Sequence, residues 1–229
     1  MEKITAFIPC RLGSTRLGFD KQLSPFAGTT LLDIKVGQLL SSYKINEIIL
    51  STDDERIFEK YKNNNKVKVY ERDPALLNNT DSNSLIEVML KHITEGYVLL
   101  TFCTTPFFNE YNQIIDFYNN NDCDSVLTAR KIGSFVMDGN NILNYKRTDT
   151  NDAWPRTQEL PLWYELDSAV EPFMHIEKTK KCNDRKGNNP AYYLTNALQS
   201  IDIDTIDEWN LAEDIYKKLY RNQYEFVGV

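Results

Sequence analysis

The sequence predicts an α/β fold in which helices lie on both faces of a mostly parallel, mixed sheet, and three observations carry that expectation. Short β-rich runs alternate with helical stretches from Ile4 to Ala129, the rhythm of successive βαβ units. One of the runs, Tyr97-Val98-Leu99-Leu100-Thr101-Phe102, is apolar enough to be buried throughout. The chain has 229 residues, 41% of them hydrophobic and 26% charged. That length and composition suffice for a sizeable core without metal or disulfide support.

Each element follows in order from the chain. Ile4-Thr5-Ala6-Phe7-Ile8-Pro9 reads as the first strand, closed by proline. A polar, glycine-containing loop leads to a helix over 30–42, whose Leu31, Leu32, Val36, Leu39 and Leu40 fall at helical spacing. A second strand over 47–52 ends at the carboxylates Asp53 and Asp54. There follow a helix from about Glu55 to Tyr61, a strand over 66–70 and a helix over 84–93. The strand over 97–102 is cut by Pro106, and a helix over 109–119 leads to a strand over 125–129. After Arg130 the rhythm breaks. Gly133, Gly139, Asn140-Asn141, Pro155 and Pro161 punctuate residues 132–163, a strand-and-loop insertion that reads as an oligomerisation arm within a single domain spanning 1–229. A last strand is expected at Ser200-Ile201-Asp202-Ile203-Asp204, before a closing helix from about Ile206 to Tyr220.

Composition narrows the function classes. No apolar run reaches the ~20 residues that span a bilayer, and Met1-Glu2-Lys3-Ile4 passes straight into a strand with no apolar leader. Cys10, Cys103, Cys123 and Cys182 are widely spaced without a CxxC pair, which suits reduced thiols in a cytoplasmic protein. A net charge of −7 argues against nucleic acid as a partner, because phosphate neutralisation along a duplex needs a broad basic face. A small anionic ligand held by a local cluster of bases remains compatible.

Such a cluster is present in Pro9-Cys10-Arg11-Leu12-Gly13-Ser14-Thr15-Arg16-Leu17-Gly18-Phe19-Asp20-Lys21. It stands where the first strand ends, the ligand edge of an open α/β sheet. Glycine allows close backbone approach, Ser14 and Thr15 offer hydroxyls, and Arg11, Arg16 and Lys21 supply positive charge, which is what a polyphosphate requires. The lysine is misplaced for a Walker A loop and the glycines for GxGxxG. Asp202 and Asp204 project to one face if Asp202-Ile203-Asp204 is a strand. There they form a candidate Mg²⁺ site or, equally, cap the following helix. Arg72 through Ser82 either rings a nucleobase and ribose or is a polar connection whose Ser82 caps the next helix.

Taken in order, these segments resemble the acylneuraminate and 3-deoxy-manno-octulosonate cytidylyltransferases, which couple CTP to acidic keto-sugars. The resemblance runs over most of the chain. Its carriers are Ile8 to Ser14 with Lys21, Leu50 to Glu55, Arg72 to Ser84, Asn109 to Val126, Gln158-Glu159-Leu160-Pro161, and Asp202-Ile203-Asp204-Thr205 with Ala212-Glu213. It implies a Rossmann-like nucleotidyltransferase fold with an inserted dimerisation arm, hence a homodimer. It also implies transfer of CMP from CTP to an acceptor hydroxyl, with release of pyrophosphate. Arg11, Ser14, Arg16 and Lys21 then hold the triphosphate, with Leu12, Gly13 and Gln22 in the same loop. Arg72, Thr80 and Ser82 hold the nucleoside, with Asp81 beside them, and Asp202 and Asp204 hold Mg²⁺. Arg11, Lys21, Asp202 and Asp204 are the expected catalytic set.

The acceptor side departs from the family pattern. Phe102, in Phe102-Cys103-Thr104-Thr105-Pro106, stands where the sialate enzymes carry a glutamine. Gln22 replaces an asparagine, and Asp167-Ser168-Ala169 replaces Asn-Gly-Ala. Phe102, Thr104, Gln158 and Asp167 are the expected acceptor contacts. Two other readings stay open: an acceptor bearing a phosphate or phosphonate, and a nucleotide-binding protein without catalysis.

Overall fold

The computed structural model describes residues 2–11, 17–72, 82–146, 154–182 and 184–220. The chain opens with β1 (Ile4–Cys10), a small pair β2 (Pro25–Phe26) and β3 (Thr29–Thr30), and α1 (Leu31–Ser41). Next come β4 (Glu47–Thr52), α2 (Glu55–Tyr61), β5 (Val67–Glu71), α3 (Ser82–His92), β6 (Tyr97–Leu100), α4 (Tyr111–Asn120) and β7 (Ser125–Ile132). The remainder holds β8 (Met137–Asp138), β9 (Asn141–Ile142), β10 (Trp163–Leu166), β11 (Phe173–His175), α5 (Ile176–Cys182), β12 (Pro190–Thr195) and α6 (Ile206–Tyr220).

The strands β5-β4-β1-β6 pair in parallel. β11 then joins β6 to β7, antiparallel to both, and β12 lies parallel along β7. The expected βαβ core is therefore present, with one antiparallel strand inserted. β10 and β11 are two pieces of one path along β7, separated by a bulge at residues 167–172. The bulge is held by Asp167 N–H donating to Thr128 O and Thr128 N–H donating to Val170 O, both at 3.1 Å.

Alternation along β1 separates two cores. Ile4, Ala6, Ile8 and Cys10 face a core built with α1, α2, α4 and α6, while Phe7 faces another with Ile49, Val98, Leu100, Ile86 and Met89 of α3, and Ile176 of α5. Helices thus cover both faces, as expected. At the start of β6, Gly96 has φ +75 and a Cβ there would lie 2.1 Å from Lys3 O. Only glycine lets this turn carry the strand in beside β1.

The insertion over 132–163 leaves and re-enters the sheet at one point, because Ile132 is paired with Trp163. Within it β8 and β9 form a short hairpin. Residues 200–204 correct the sequence reading: they form no strand. The last strand among the described residues is β12, which starts at Pro190, as proline is tolerated at the first residue of a strand.

Candidate active site

Because β1, β4, β5 and β6 are parallel, the residues that follow them gather at one edge of the sheet. Arg11 follows β1, Asp53 and Asp54 follow β4, Arg72 follows β5, and Phe102 to Thr105 follow β6. Arg72 N–H donates to Thr52 O at 2.7 Å, which seats the arginine beside the end of β4. Its side chain is buried, and its Nε has no hydrogen-bond partner among the described residues. Burial, and then the nearby Arg11 guanidinium, lower the Arg72 pKa, while Asp53 opposes them. Two guanidiniums that feel each other at a strand edge are an arrangement chemically suited to an anion.

The loop that carries Lys21 is stitched by its neighbours. Asp20 Oδ1 accepts from Gln22 N–H at 3.1 Å, and Gln22 Nε2 donates to Arg11 O at 3.0 Å. Gln22 thus ties the end of β1 to the lysine. Arg56 pairs with both Asp20 and Asp54, so the N-terminus of α2 is tied to the same loop. The Arg56 hydrogen bonds hold Asp54 below the usual carboxylate range. Lys21 Nζ donates to Ile203 O and, at 2.9 Å, to Asp204 Oδ1.

Residues 202–204 are held on their other side by Ile203 N–H donating to Thr104 O at 2.9 Å. The segment is thus pinned through Ile203 and presents Asp202 and Asp204 on either side of it. The cap of α6 is supplied by other residues. Glu208 Oε2 accepts from Asp204 N–H and Thr205 N–H, each at 2.8 Å, and Glu208 N–H donates to Thr205 Oγ1 at 3.3 Å. This is a capping box, and it leaves helix capping to Thr205 and Glu208 rather than to the aspartate side chains. Asp202 Oδ1 is buried without a hydrogen-bond partner among the described residues.

Asp202 and Asp204 border a cleft of about 360 Å³ whose walls also include Arg130, Glu165, Asp167 and Ser168. Arg130 pairs with Glu165 at 2.6 Å, both half-exposed. Asp167 accepts from Thr128 Oγ1, from Ala169 N–H at 3.1 Å and from Thr195 Oγ1 at 2.6 Å. Its carboxylate therefore joins the bulge to β7 and β12. Glu171 lies close by, paired with Arg185 at 3.2 Å. Burial raises its pKa, and the neighbouring Asp202 and Asp167 push the same way.

The structure thus brings together Lys21, Asp202 and Asp204, and separately Arg11 and Arg72, at the same sheet edge. Thr104 contributes its carbonyl, and Phe102 packs against the core formed by Phe7, Val98 and Leu100. Gln158 is exposed in a short 3₁₀ turn, Thr157–Glu159, and is not part of the cleft wall. Ser82 opens α3, and Leu12, Gly13, Ser14, Arg16, Thr80 and Asp81 lie outside the described residues. Sequence reasoning missed Lys35, Arg130 and Glu171. Lys35 had a signal: at i+4 from Leu31, i+3 from Leu32 and i−4 from Leu39, it places an amine on the apolar stripe of α1.

Residues 5–225 match the family model described as cytidylyltransferase. No curated protein matches the chain in sequence. Among solved structures, 4-diphosphocytidyl-2C-methyl-D-erythritol synthase from Anaerococcus prevotii aligns with a TM-score of 0.68 at 18% identity, over 94% of this chain and 96% of that one. A CMP:2-keto-3-deoxy-manno-octonic acid synthetase complexed with CTP aligns with a TM-score of 0.65 at 13% identity, over 94% and 99% of the two chains. The bifunctional IspDF from Campylobacter jejuni aligns with a TM-score of 0.63 at 12% identity, over 90% of this chain and 54% of that one. At these identities the structural likeness speaks for the fold.

Proposed function

The chain belongs to the cytidylyltransferase family and is a CTP-dependent nucleotidyltransferase, and on that premise we propose that it transfers CMP from CTP to the hydroxyl of an acidic, keto-sugar-like acceptor. The acceptor oxygen attacks the α-phosphorus in line and pyrophosphate leaves. The observation that carries this reading is the meeting of Lys21 with Asp204 beside the partnerless Asp202 Oδ1, at the edge where Arg11 and Arg72 converge. Cations there face the triphosphate and carboxylates face a metal.

Mg²⁺ suits the donor set. Asp202 and Asp204 offer oxygen ligands from one pinned segment, and Mg²⁺ is commonly held by one or two carboxylates together with substrate phosphates and waters. When bound, it would neutralise charge gathering on the phosphate oxygens. In this reading Lys21 and Arg11 bind the leaving pyrophosphate portion, Arg72 orients the nucleotide, and the pinned Ile203 backbone fixes the distance between carboxylates and lysine. The cleft walled by Asp167, Ser168 and Arg130 takes the acceptor.

A second reading replaces the sugar hydroxyl by a phosphate or phosphonate oxygen. It is favoured by Phe102, which packs into the core instead of offering a sugar-binding amide, and by the architecture shared with a synthase named for a diphosphocytidyl product. We also infer a cytoplasmic homodimer. Tyr164 and Leu166 of β10 and Tyr192 and Leu194 of β12 are exposed, and Leu166 also borders the cleft. Exposed apolar side chains on the two strands that flank β7 support an interface there. No helix among the described residues is long and apolar enough to cross a membrane.

The test is a panel of keto-acid sugars and sugar phosphates offered with CTP and Mg²⁺, read by pyrophosphate release and product mass. A CMP-sugar supports the first reading and a CDP- or CMP-phosphonate product the second. Equal turnover with ATP or GTP in place of CTP overturns both.

A further inference from the structure

We propose that Lys35, buried in α1 behind the site, is a positioning residue that sets the carboxylates of the 202–204 segment for metal binding. The inference rests on the reading of Asp202 and Asp204 as metal carboxylates. Lys35 is 0% exposed, and no carboxylate among the described residues lies within ion-pair distance of it. Its Nζ instead donates to Thr105 O at 2.8 Å, Phe108 O at 3.4 Å and Tyr111 Oη at 2.6 Å.

An amine without a carboxylate partner in a core is expensive to keep. A methionine of similar reach would fill the space without that penalty. The cost has a visible counterpart in the loop that Lys35 grips. Thr105 O is bound by Lys35, and the carbonyl one residue earlier, Thr104 O, accepts Ile203 N–H at 2.9 Å. The 202–204 segment is therefore clamped by two lysines. Lys21 grips it directly at Ile203 O and Asp204, and Lys35 grips it from within through two successive carbonyls.

Electrostatics points the same way. Asp202 attracts the Lys35 ammonium through the core, and Asp202 Oδ1 is the buried oxygen with no donor of its own. Groups that orient metal ligands without touching the metal are worth about 10- to 100-fold in metal affinity or activity.

Lys35→Met keeps the stem and removes the donors and the charge. Mn²⁺ serves as the probe, titrated by electron paramagnetic resonance against the full-length protein with CTP and no acceptor, so that binding is read without turnover. We expect the Mn²⁺ dissociation constant to rise about 10-fold or more, with the KM for CTP changing far less than kcat at limiting metal. Tyr111→Phe, which removes one of the three partners of the amine, should give a smaller shift in the same direction and serves if Lys35→Met does not fold. Asp202→Asn runs in parallel. If Asp202→Asn weakens Mn²⁺ binding while neither Lys35→Met nor Tyr111→Phe moves it by more than about twofold, Lys35 has no positioning role. If Asp202→Asn leaves Mn²⁺ binding intact, the metal reading fails, and this inference with it.

Discussion

Lys21 and Asp204, 183 positions apart in the chain, meet at 2.9 Å across the mouth of the site. The lysine side chain is 11% exposed and the aspartate 40%. With its carboxylate open to solvent, the pair contributes about 0–1 kcal/mol to stability, and under the proposed function its role is to hold a cation beside a carboxylate at the phosphate and metal site. Lys21→Met should therefore leave the melting temperature nearly unchanged while kcat/KM with CTP falls ~10²- to 10³-fold, the loss typical of a missing charge-stabilising donor. Pyrophosphate release and a thermal melt on the same preparation check both halves.

The capping box separates two roles that the sequence left merged. Asp204→Asn should cut turnover at least ~100-fold, equal to about 2.7 kcal/mol of barrier, yet leave α6 intact. Thr205→Ala should do the reverse, costing about 1 kcal/mol of stability with little change in turnover. If Asp204→Asn instead destabilises the fold as much as Thr205→Ala and loses only ~10-fold in rate, the aspartate is a capping residue.

Lys35 makes stability depend on pH with a definite sign. Burial pushes its amine down to about 7, against ~10.4 in an unfolded chain. Between those values the unfolded state binds more protons than the folded one, so stability rises with pH, and below about 7 the full penalty is present. Tyr111 and Cys103 face the amine, and Asp202 acts on it through the core. Above ~8.5, the usual thiol value, the buried Cys10 and Cys103 work against the trend, because burial holds both thiols protonated in the fold. The unfolding free energy from urea titrations should therefore rise from about pH 7 to about pH 8.5 by up to ~1.4 kcal/mol per pH unit. Lys35→Met should flatten that slope; an equal slope in the variant would assign it to another group.

Phe102 bears on the acceptor. Its ring packs with Phe7, Val98 and Leu100 and offers no hydrogen bond at the position where sialate enzymes place an amide. A substrate hydroxyl or amide that loses such a partner costs ~1–3 kcal/mol, roughly 5- to 150-fold in specificity. N-acetylneuraminate should accordingly show a lower kcat/KM than shorter keto-acids or sugar phosphates. If it proves the best acceptor of that set, another residue supplies the contact.

Much of the nucleotide side was legible in the chain because its strands are long, apolar and separated by periodic helices. β1, β4 and β6 carry apolar, buried runs of this kind. The acceptor side was harder to read for physical reasons. β11 has three residues and follows a proline, and β12 begins at Pro190 after an asparagine-rich turn. β11 is too short for a period-2 pattern, and β12 is partly exposed along most of its length, so its apolar residues do not read as a buried run. Residues 200–204 misled in the opposite direction. Their alternating Ile and Asp mimic a strand, but Ile203 spends its hydrogen bonds on Thr104 and Lys21 instead of a ladder. Asp167 looked like a ligand group from its position in sequence, whereas its oxygens are held by Thr128, Ala169 and Thr195.

The antiparallel strand β11 divides the sheet into two territories of contiguous sequence. Residues 4–100 supply all four strands on one side, and residues 125–195 supply those on the other. Within the sheet the border is narrow: three residue pairs between β11 and β6, reinforced by Glu171 N–H donating to Leu100 O and Leu100 N–H donating to Pro172 O, each at 2.9 Å. A division of this kind lets evolution, or an engineer, exchange one territory as a cassette. A relative's 125–195 segment grafted into this chain would carry the Thr128 docking on the bulge with it, and would have to preserve that border together with the packing of Met174 and Ile176 on the Phe7 core and the Tyr193–Glu110 hydrogen bond. Under the proposed function, such an exchange would alter the acceptor end while keeping the strands that carry Arg11 and Arg72.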